Sequence, residues 1–234
     1  LRQREIPTGQ LPSYEVFEDT LHRLIGGSAR RTLEITVKDL FKENPSMVEG
    51  FNYDDLHNLL NPSQDRLAPT YVRAYPGLSD FLHGIGKLGL GFAIWTSGTR
   101  HHIMRNFGVA LPELNMGELY KRNELSDDEK FKKFSAVFQE FFGLAAFSIL
   151  TCEDITTHKP DPEGLTIVMS RLDADPGSTM VLGDHTVDMQ AGVNAKVAFR
   201  TGIVHGFGKA EQLAKAGANL VVTSLSELSA HLSK

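Results

Sequence analysis

The sequence has little cysteine, no long apolar run and no concentration of basic residues. Among its 234 residues Cys152 is the only cysteine, which excludes an intramolecular disulfide and fits a reducing compartment, so a cytoplasmic location is expected. The most apolar stretch, residues 141–150, is far too short to cross a bilayer, and no membrane partner is expected. The formal net charge of -5, without a basic tract, argues against a nucleic-acid partner.

The first ten residues also lack two features. They contain no apolar segment of the kind found in secretory signals, so no such leader is expected. They do not begin with methionine, which favours a chain that has been trimmed or processed, or that is a fragment.

The remaining composition is that of a folded protein with two regions. A hydrophobic content of 41% is enough for one large domain, or for a core domain with a small second one. In residues 13–61 the apolar residues recur every three or four positions, as on one face of a helix. They are Tyr14, Phe17, Leu21, Leu24, Ile25, Leu33, Val37, Leu40, Phe41, Leu56, Leu59 and Leu60. Residues 61–70 carry two prolines among polar residues and predict a linker, so we expect a second domain at 71–234.

From residue 71 onward, helical and strand-like patterns alternate. Short apolar runs predict strands at residues 91–96, 146–151, 179–183, 196–200 and 219–223. Amphipathic stretches predict helices at residues 78–88, 101–107, 127–142, 162–172, 210–216 and 225–232. Ser126, three residues before Glu129, is the expected N-cap of the longest helix. This alternation is typical of an α/β fold in which helices cover both faces of a parallel sheet.

Polar segments follow three of the predicted strands. Thr96, Ser97 and Gly98 follow the first, Lys159 lies in the loop after the second, and Asp184 follows the third. Because ligands of open parallel sheets bind beyond the carboxyl ends of the strands, these groups are expected on one rim. Hydroxyl and backbone N–H groups suit phosphate oxygens, and lysine supplies a positive charge. The threonine as a helix cap and the lysine loop as a turn are the alternative interpretations.

Two carboxylates, Asp184 and Asp188, are spaced by four residues in G-D-H-T-V-D. Carboxylates face a phosphate only through a cation, and Mg²⁺ prefers carboxylate oxygen, water and phosphate as ligands. Asp184 is expected to bind the ion directly or through water, with Asp188 as a second ligand or as an outer hydrogen-bond acceptor. The pattern alone is moderately specific, and its order after T-S-G and K-P-D-P strengthens the expectation of a Mg²⁺ site.

These motifs together resemble the haloacid dehalogenase superfamily, in particular its phosphatases of the phosphoglycolate phosphatase type. The resemblance rests on Y-P-G-L at 75–78, T-S-G at 96–98, H-K-P-D-P at 158–162 and G-D-H-T-V-D at 183–188. It extends from about residue 71 to the C-terminus and implies a Rossmann-like core. The family's small helical cap is inserted after its first motif, and residues 13–61 fit that cap.

The resemblance also implies roles for individual residues. Thr96, with Ser97 and Gly98, would bind the phosphoryl group, and Lys159 would be a catalytic residue that stabilises charge on phosphate and nucleophile. Asp184 and Asp188 would hold Mg²⁺. The implied activity is the Mg²⁺-dependent hydrolysis of a small phosphorylated metabolite.

The family's first motif, a strand ending in D-x-D-G-T, is missing from this sequence. Its first aspartate is the family's nucleophile and its second the general acid/base. The only D-x-D is Asp173-Ala174-Asp175, which lies before a strand, and Glu18-Asp19 are adjacent in a segment predicted to be helical. A sheet without this central strand would leave backbone groups unpaired. We therefore expect an incomplete or inactive phosphatase; the alternative is a non-catalytic phosphate- or metal-binding pseudoenzyme or scaffold.

For other polar residues near the rim, and for one longer segment, the sequence leaves two interpretations. His158, Asp184 and His185 would make a zinc site, although histidines that contact substrate or solvent are favoured. Arg100 is either a ligand for an anionic substrate or a solvated helix residue. Residues 110–127 are either a partner surface or a loop.

Overall fold

The computed structural model describes residues 13, 15–16, 29–58, 60–120, 122–206 and 208–233. The chain divides into two compact units, Leu1–Gln64 and Asp65–Lys234. Within the described ranges no helix is both long enough and apolar enough to span a membrane. The assignment of residues 13–61 to a cap stays a prediction.

The first unit contains the helices α1 (Ala29–Leu40) and α2 (Tyr53–Asn58). The apolar repeat of residues 33–41 lies on α1 and in the turn after it, as predicted, and buries Val37 and Phe41 together with Val48. The earlier repeat at residues 14–25, Leu59 and the Glu18-Asp19 pair lie outside the described residues.

Residues 61–70, which the sequence predicts as a linker, form most of the helix α3 (Leu60–Tyr71). Two prolines suggested a break, but the helix contains both, and only Pro62 occupies a position that a helix tolerates well. Pro62 lies in the first turn, where the backbone N–H has no partner inside the helix, and Pro69 lies in the last turn. The two units divide within this helix.

The second unit is an α/β structure built on two parallel sheets. One contains β1 (Gly91–Trp95) and β2 (Ala146–Leu150); the other contains β3 (Met180–Gly183), β4 (Phe199–Ile203) and β5 (Leu220–Val222) in that order. In the first sheet Gly91 pairs with Ala146, and in the second Met180 pairs with Phe199. The predicted α/β class with parallel strands is confirmed.

One predicted strand, residues 196–200, is displaced, because β4 begins at Phe199. The residues before it form the turn that ends the preceding helix. Lys196 has a φ of 58°, in the left-handed region, and the N–H of Val197 donates to the carbonyl of Gly192. Lys196 therefore cannot continue an extended strand.

Helices flank the sheets, as predicted. They are α4 (Leu78–Lys87), α5 (Arg100–Ala110), α6 (Gly117–Tyr120), α7 (Asp127–Phe142), α8 (Glu163–Arg171), α9 (Thr186–Asn194), α10 (Ala210–Lys215) and α11 (Leu225–Leu232). Ser126 caps α7 as expected, since its Oγ accepts from the N–H of Glu129 while Glu129 Oε2 accepts from the N–H of Ser126 at 2.8 Å. Within residues 110–127, the side chains of Leu111, Leu114 and Met116 are buried in the core.

On each face, the two sheets pack into the same apolar cluster. Phe92 and Ile94 of β1 pack into the same apolar cluster as Leu182 of β3, while Trp95 of β1 packs with Val181 of β3 in a second cluster. Since alternate residues of a strand point to opposite faces, the sheets form one layer with a break between β1 and β3. Within the described part of the chain, β1 pairs only with β2, and β3 only with β4.

Candidate functional site

The loop of residues 96–99 leads from β1 into α5. Thr96 N–H donates to Leu150 O at 3.0 Å, which continues the pairing of β1 with β2. Gly98 N–H donates to Thr96 Oγ1 at 3.0 Å, so this hydroxyl acts as an acceptor within the loop and retains its own proton as a donor. The helix cap is Thr99, whose hydroxyl accepts from the N–H of His102. The cap interpretation thus applies to Thr99 and leaves Thr96 for a ligand.

Lys159 joins the ends of two strands. Its Nζ donates to Trp95 O at 3.0 Å, where β1 ends, and to Asp188 Oδ1 at 2.8 Å, in the first turn of α9 after β3. The ammonium also lies 4.5 Å from the centre of the Trp95 ring, a distance at which the ring attracts a cation. The structure therefore places the loop that carries Lys159 at the break between β1 and β3.

Both carboxylate oxygens of Asp188 have partners in the protein. Oδ1 accepts from Lys159, and Oδ2 accepts from the N–H of His185 at 3.1 Å as part of the cap of α9. The side chain packs against Gly183, where a Cβ would overlap it. The metal-binding role of Asp188 stays a prediction, while this geometry makes the residue the partner of Lys159.

Asp184 lies directly after β3, against the turn that follows β4. Its carbonyl accepts from the N–H of Gly208 at 2.7 Å, and a Cβ on Gly206 would overlap the Asp184 carboxylate. Glycine at position 206 therefore provides the space that this carboxylate occupies. Burial lowers the pKa of the neighbouring His205, and the negative charge of Asp184 only partly offsets this effect.

The zinc site, the less favoured of the two interpretations, is not assembled in the described part of the chain, where no group of three or more histidine, cysteine, aspartate or glutamate side chains is placed to hold a metal. His185 instead caps α9, because its Nδ1 accepts from the N–H of Val187 at 3.3 Å. His158 Nδ1 is buried and has no hydrogen-bond partner among the described residues.

Arg100 fits neither of its two sequence-based interpretations. Its guanidinium donates to Asp154 at 2.6 Å and to Asp128 at 2.8 Å, and it lies over the ring of Phe131. Its backbone N–H donates to Glu153 at 2.6 Å. Sequence reasoning missed these partners, and the only signal for them was the acidic pair that follows the second strand.

Glu163, at the start of α8, stabilises the loop that carries Lys159. The sequence patterns did not predict this role. Its carboxylate accepts from the backbone N–H and hydroxyl groups of Thr156 and Thr157, with the shortest bond, 2.6 Å, from Thr157 Oγ1. These donors, those of Thr157 first, lower the pKa of Glu163 to about 2.

Comparison with known sequences gives one family and several relatives. Residues 132–201 match the family described as haloacid dehalogenase-like hydrolase. Pyrophosphatase PpaX of Oceanobacillus iheyensis is 33% identical over 107 residues, which cover 42% of this chain and 50% of that protein. N-acetylmuramic acid 6-phosphate phosphatase of Pseudomonas aeruginosa is 35% identical over 78 residues, 31% of this chain and 34% of that protein. The chain thus spans about half the length, or less, of the curated relatives it matches.

Solved structures show the same fold over nearly the whole chain. A hydrolase from Pseudomonas syringae superposes with a TM-score of 0.65, covering 99% of this chain and 88% of that one. The sequence identity of this pair is 22%, so the likeness is one of fold.

Proposed function

Because residues 132–201 match the haloacid dehalogenase-like hydrolase family, we propose that the second unit of this chain binds a small phosphate monoester together with Mg²⁺. The observation that carries the proposal is the position of Lys159 between Trp95 O and Asp188 Oδ1. Lys159 thereby connects its own loop to Trp95, which precedes the 96–99 loop, and to Asp188 in the segment after β3. N-acetylmuramic acid 6-phosphate phosphatase is named for a phosphate monoester and pyrophosphatase PpaX for a phosphoanhydride, so both names support a small phosphorylated substrate.

The phosphate would lie between the 96–99 loop and Lys159. Thr96 Oγ1 offers a donor to its oxygens, and the Lys159 ammonium reduces its negative charge.

Asp184 would hold the Mg²⁺. This ion is bound by one or two carboxylates, with water and substrate phosphate completing its coordination, so a single protein carboxylate fits it where zinc would need more ligands. The space that Gly206 leaves for the Asp184 carboxylate supports this assignment. When bound, Mg²⁺ withdraws charge from the phosphoryl oxygens.

Residues 1–234 contain no D-x-D-G-T, so this chain does not supply the family's nucleophile. The break between β1 and β3 lies between Thr96 and Asp184, and a parallel strand placed there would carry its last residue to the same rim. Within the described part of the chain no strand pairs with β1 or β3 on this side, which supports the proposal that the chain binds phosphate but does not turn over on its own.

Binding and turnover can be tested separately. Calorimetric titration with inorganic phosphate, with and without Mg²⁺, should show binding that Mg²⁺ strengthens and that Asp184→Asn abolishes. Asp173→Asn is the matched control, because Asp173 is exposed, lies outside the site and has a φ of 50° that asparagine accepts. Rapid hydrolysis of p-nitrophenyl phosphate that is lost in Asp184→Ala would refute the absence of turnover.

A further inference from the structure

We propose that Asp154 is a positioning residue for the 96–99 loop, and that it acts through Arg100. The inference rests on the proposed phosphate binding, because the loop it holds is the one that would receive the phosphate. Arg100 is the residue that follows this loop, and Asp154 belongs to the 151–154 segment, which follows β2.

Two bonds attach Arg100 to the 151–154 segment. Nη2 donates to Asp154 Oδ1 at 2.6 Å, and the backbone N–H donates to Glu153 Oε2 at 2.6 Å. Because the backbone as well as the side chain of Arg100 is held, the first turn of α5 has a fixed position relative to the end of β2. The loop that precedes this turn is then fixed at its carboxyl end.

The 151–154 segment is itself rigidly attached to the sheet. Asp154 Oδ2 accepts from the N–H and from the hydroxyl of Thr151, both at 2.8 Å, and Thr151 is fully buried at the end of β2. The N–H of Cys152 donates to Gly98 O at 3.2 Å, a second link that reaches the middle of the 96–99 loop. Asp154 therefore links Arg100 to the end of β2, beside the separate links that Glu153 and Cys152 make to the same loop and helix start.

The electrostatics of Asp154 favour this role. Burial by itself raises the pKa of the carboxyl, but the N–H and hydroxyl of Thr151 and the Arg100 guanidinium outweigh it, and the pKa lies below its usual value. Since both oxygens of Asp154 are used and Arg100 lies between two carboxylates, neither residue is placed as a direct phosphate ligand.

A loop that is already ordered binds its ligand more tightly, because the ligand does not have to order it. Fixing one residue of backbone costs on the order of 1–2 kcal/mol, so releasing even one residue of the 96–99 loop should weaken phosphate binding about tenfold. The effect would fall on affinity for phosphate, whereas a purely structural role of Asp154 would lower stability alone.

The chain offers a matched pair of variants for the test. Asp154→Asn removes the inner carboxylate, and Asp128→Asn removes the other partner of the same guanidinium, whose side chain is 71% exposed against 14% for Asp154. Inorganic phosphate is titrated into the full chain with Mg²⁺. We expect the Kd to rise about tenfold in Asp154→Asn and less than twofold in Asp128→Asn, because the exposed pair is weak.

A second variant covers the case in which Asp154→Asn does not fold. Arg100→Lys keeps the charge but loses the two-pronged guanidinium, and it should raise the Kd by a smaller factor while the cooperative unfolding transition is retained. Hydrogen exchange of the amides of residues 97–100, measured without phosphate, should be faster in both variants than in Asp128→Asn.

The outcomes separate this inference from the proposed function. If the unmodified chain binds no phosphate, the proposed function fails, and the exchange rates still decide whether Asp154 holds the loop. If the unmodified chain binds phosphate and the folded Asp154 or Arg100 variant matches Asp128→Asn in Kd, the positioning role is refuted. Faster exchange together with weaker phosphate binding supports it.

Discussion

The ammonium of Lys159 lies 2.8 Å from Oδ1 of Asp188, and the two side chains are only 16% and 13% exposed. The pair links the loop that carries Lys159 to the segment after β3. A charge left alone at such a site is poorly solvated, so each residue should depend on the other.

The first prediction concerns the loss of one partner of this pair. Asp188→Ala should lower the free energy of unfolding by about 2–4 kcal/mol, because it leaves Lys159 unpaired and also removes the N–H acceptor at the start of α9. Lys159→Met should cost less, since it keeps the cap. Urea denaturation followed by circular dichroism measures both variants.

The control for that comparison is Lys132→Met, which removes an exposed lysine of α7 and should change stability by less than about 0.5 kcal/mol. If Asp188→Ala is no worse than this control, the Lys159–Asp188 pair contributes nothing to the fold.

The second prediction concerns the glycine beside Asp184. In Gly206→Ala the new Cβ would overlap the Asp184 carboxylate, which must move. We expect Mg²⁺-dependent phosphate binding to weaken at least about tenfold, because a carboxylate displaced by a bond length no longer completes the ion's tight octahedral shell. Titration calorimetry with phosphate, in the presence and absence of Mg²⁺, measures the change.

Gly84→Ala is the matched control for this substitution. Gly84 lies inside α4, and a Cβ there meets no atom within 4 Å. Alanine should leave phosphate binding unchanged and stabilise the helix by up to about 1 kcal/mol. Equal phosphate affinities for the two alanine variants would count against a role of Asp184 in metal binding.

The third prediction uses the only tryptophan, Trp95, as a reporter. In Gly164→Ala the added Cβ would overlap the indole ring, which lies under the Lys159 ammonium. Overpacking of this kind costs about 1–3 kcal/mol and forces the ring to shift. The fluorescence emission of Trp95 should therefore change in the folded variant, and its urea midpoint should fall. An unchanged spectrum would mean that the space beside Gly164 is not filled by the ring.

The sequence patterns predicted the parts of this structure that depend on neighbouring residues. Periodic apolar residues identified α4, α7 and β1, and Ser126 with Glu129 identified a helix start, because such signals act over three or four positions. The prolines of α3 and the start of β4 were misjudged, since proline is compatible with a helix's first turn and the left-handed residue before β4 has no local sequence signal.

In the candidate site, too, the sequence predicts features that depend on local patterns but not the long-range contacts. The order of Thr96, Lys159 and Asp184 along the chain is visible in the sequence and predicts one rim. The link from Arg100 to Asp154 spans 54 residues, and the bond from Lys159 to Trp95 spans 64, so neither follows from local pattern. Long-range polar contacts of this kind depend on how loops fold against one another, which a single sequence does not encode in any short motif.

The last prediction concerns the pH dependence of the hydrogen bonds between Glu163 and the loop that carries Lys159. Glu163 has an ordinary pKa of 4.5 and a pKa of about 2 in the folded chain, where the N–H and hydroxyl groups of Thr157 and Thr156 favour its charged form. A carboxyl whose pKa is lowered on folding stabilises the fold fully above its unfolded pKa, and this stabilisation is lost as pH falls through the folded pKa. The stabilisation of the fold by Glu163 should therefore be complete above pH 4.5 and absent below pH 2.

The comparison that tests this is between the unmodified chain and Glu163→Gln, whose side chain does not titrate. Urea midpoints measured at several pH values should show the unmodified chain as the more stable at neutral pH, with the difference shrinking between pH 4.5 and pH 2. Glu211→Gln, which removes an exposed carboxylate of α10, serves as the control for the loss of one negative charge. A difference for Glu163→Gln that stays constant over this range would show that the Thr156 and Thr157 bonds do not hold the carboxylate in its charged form, and that another contact orders the lysine loop.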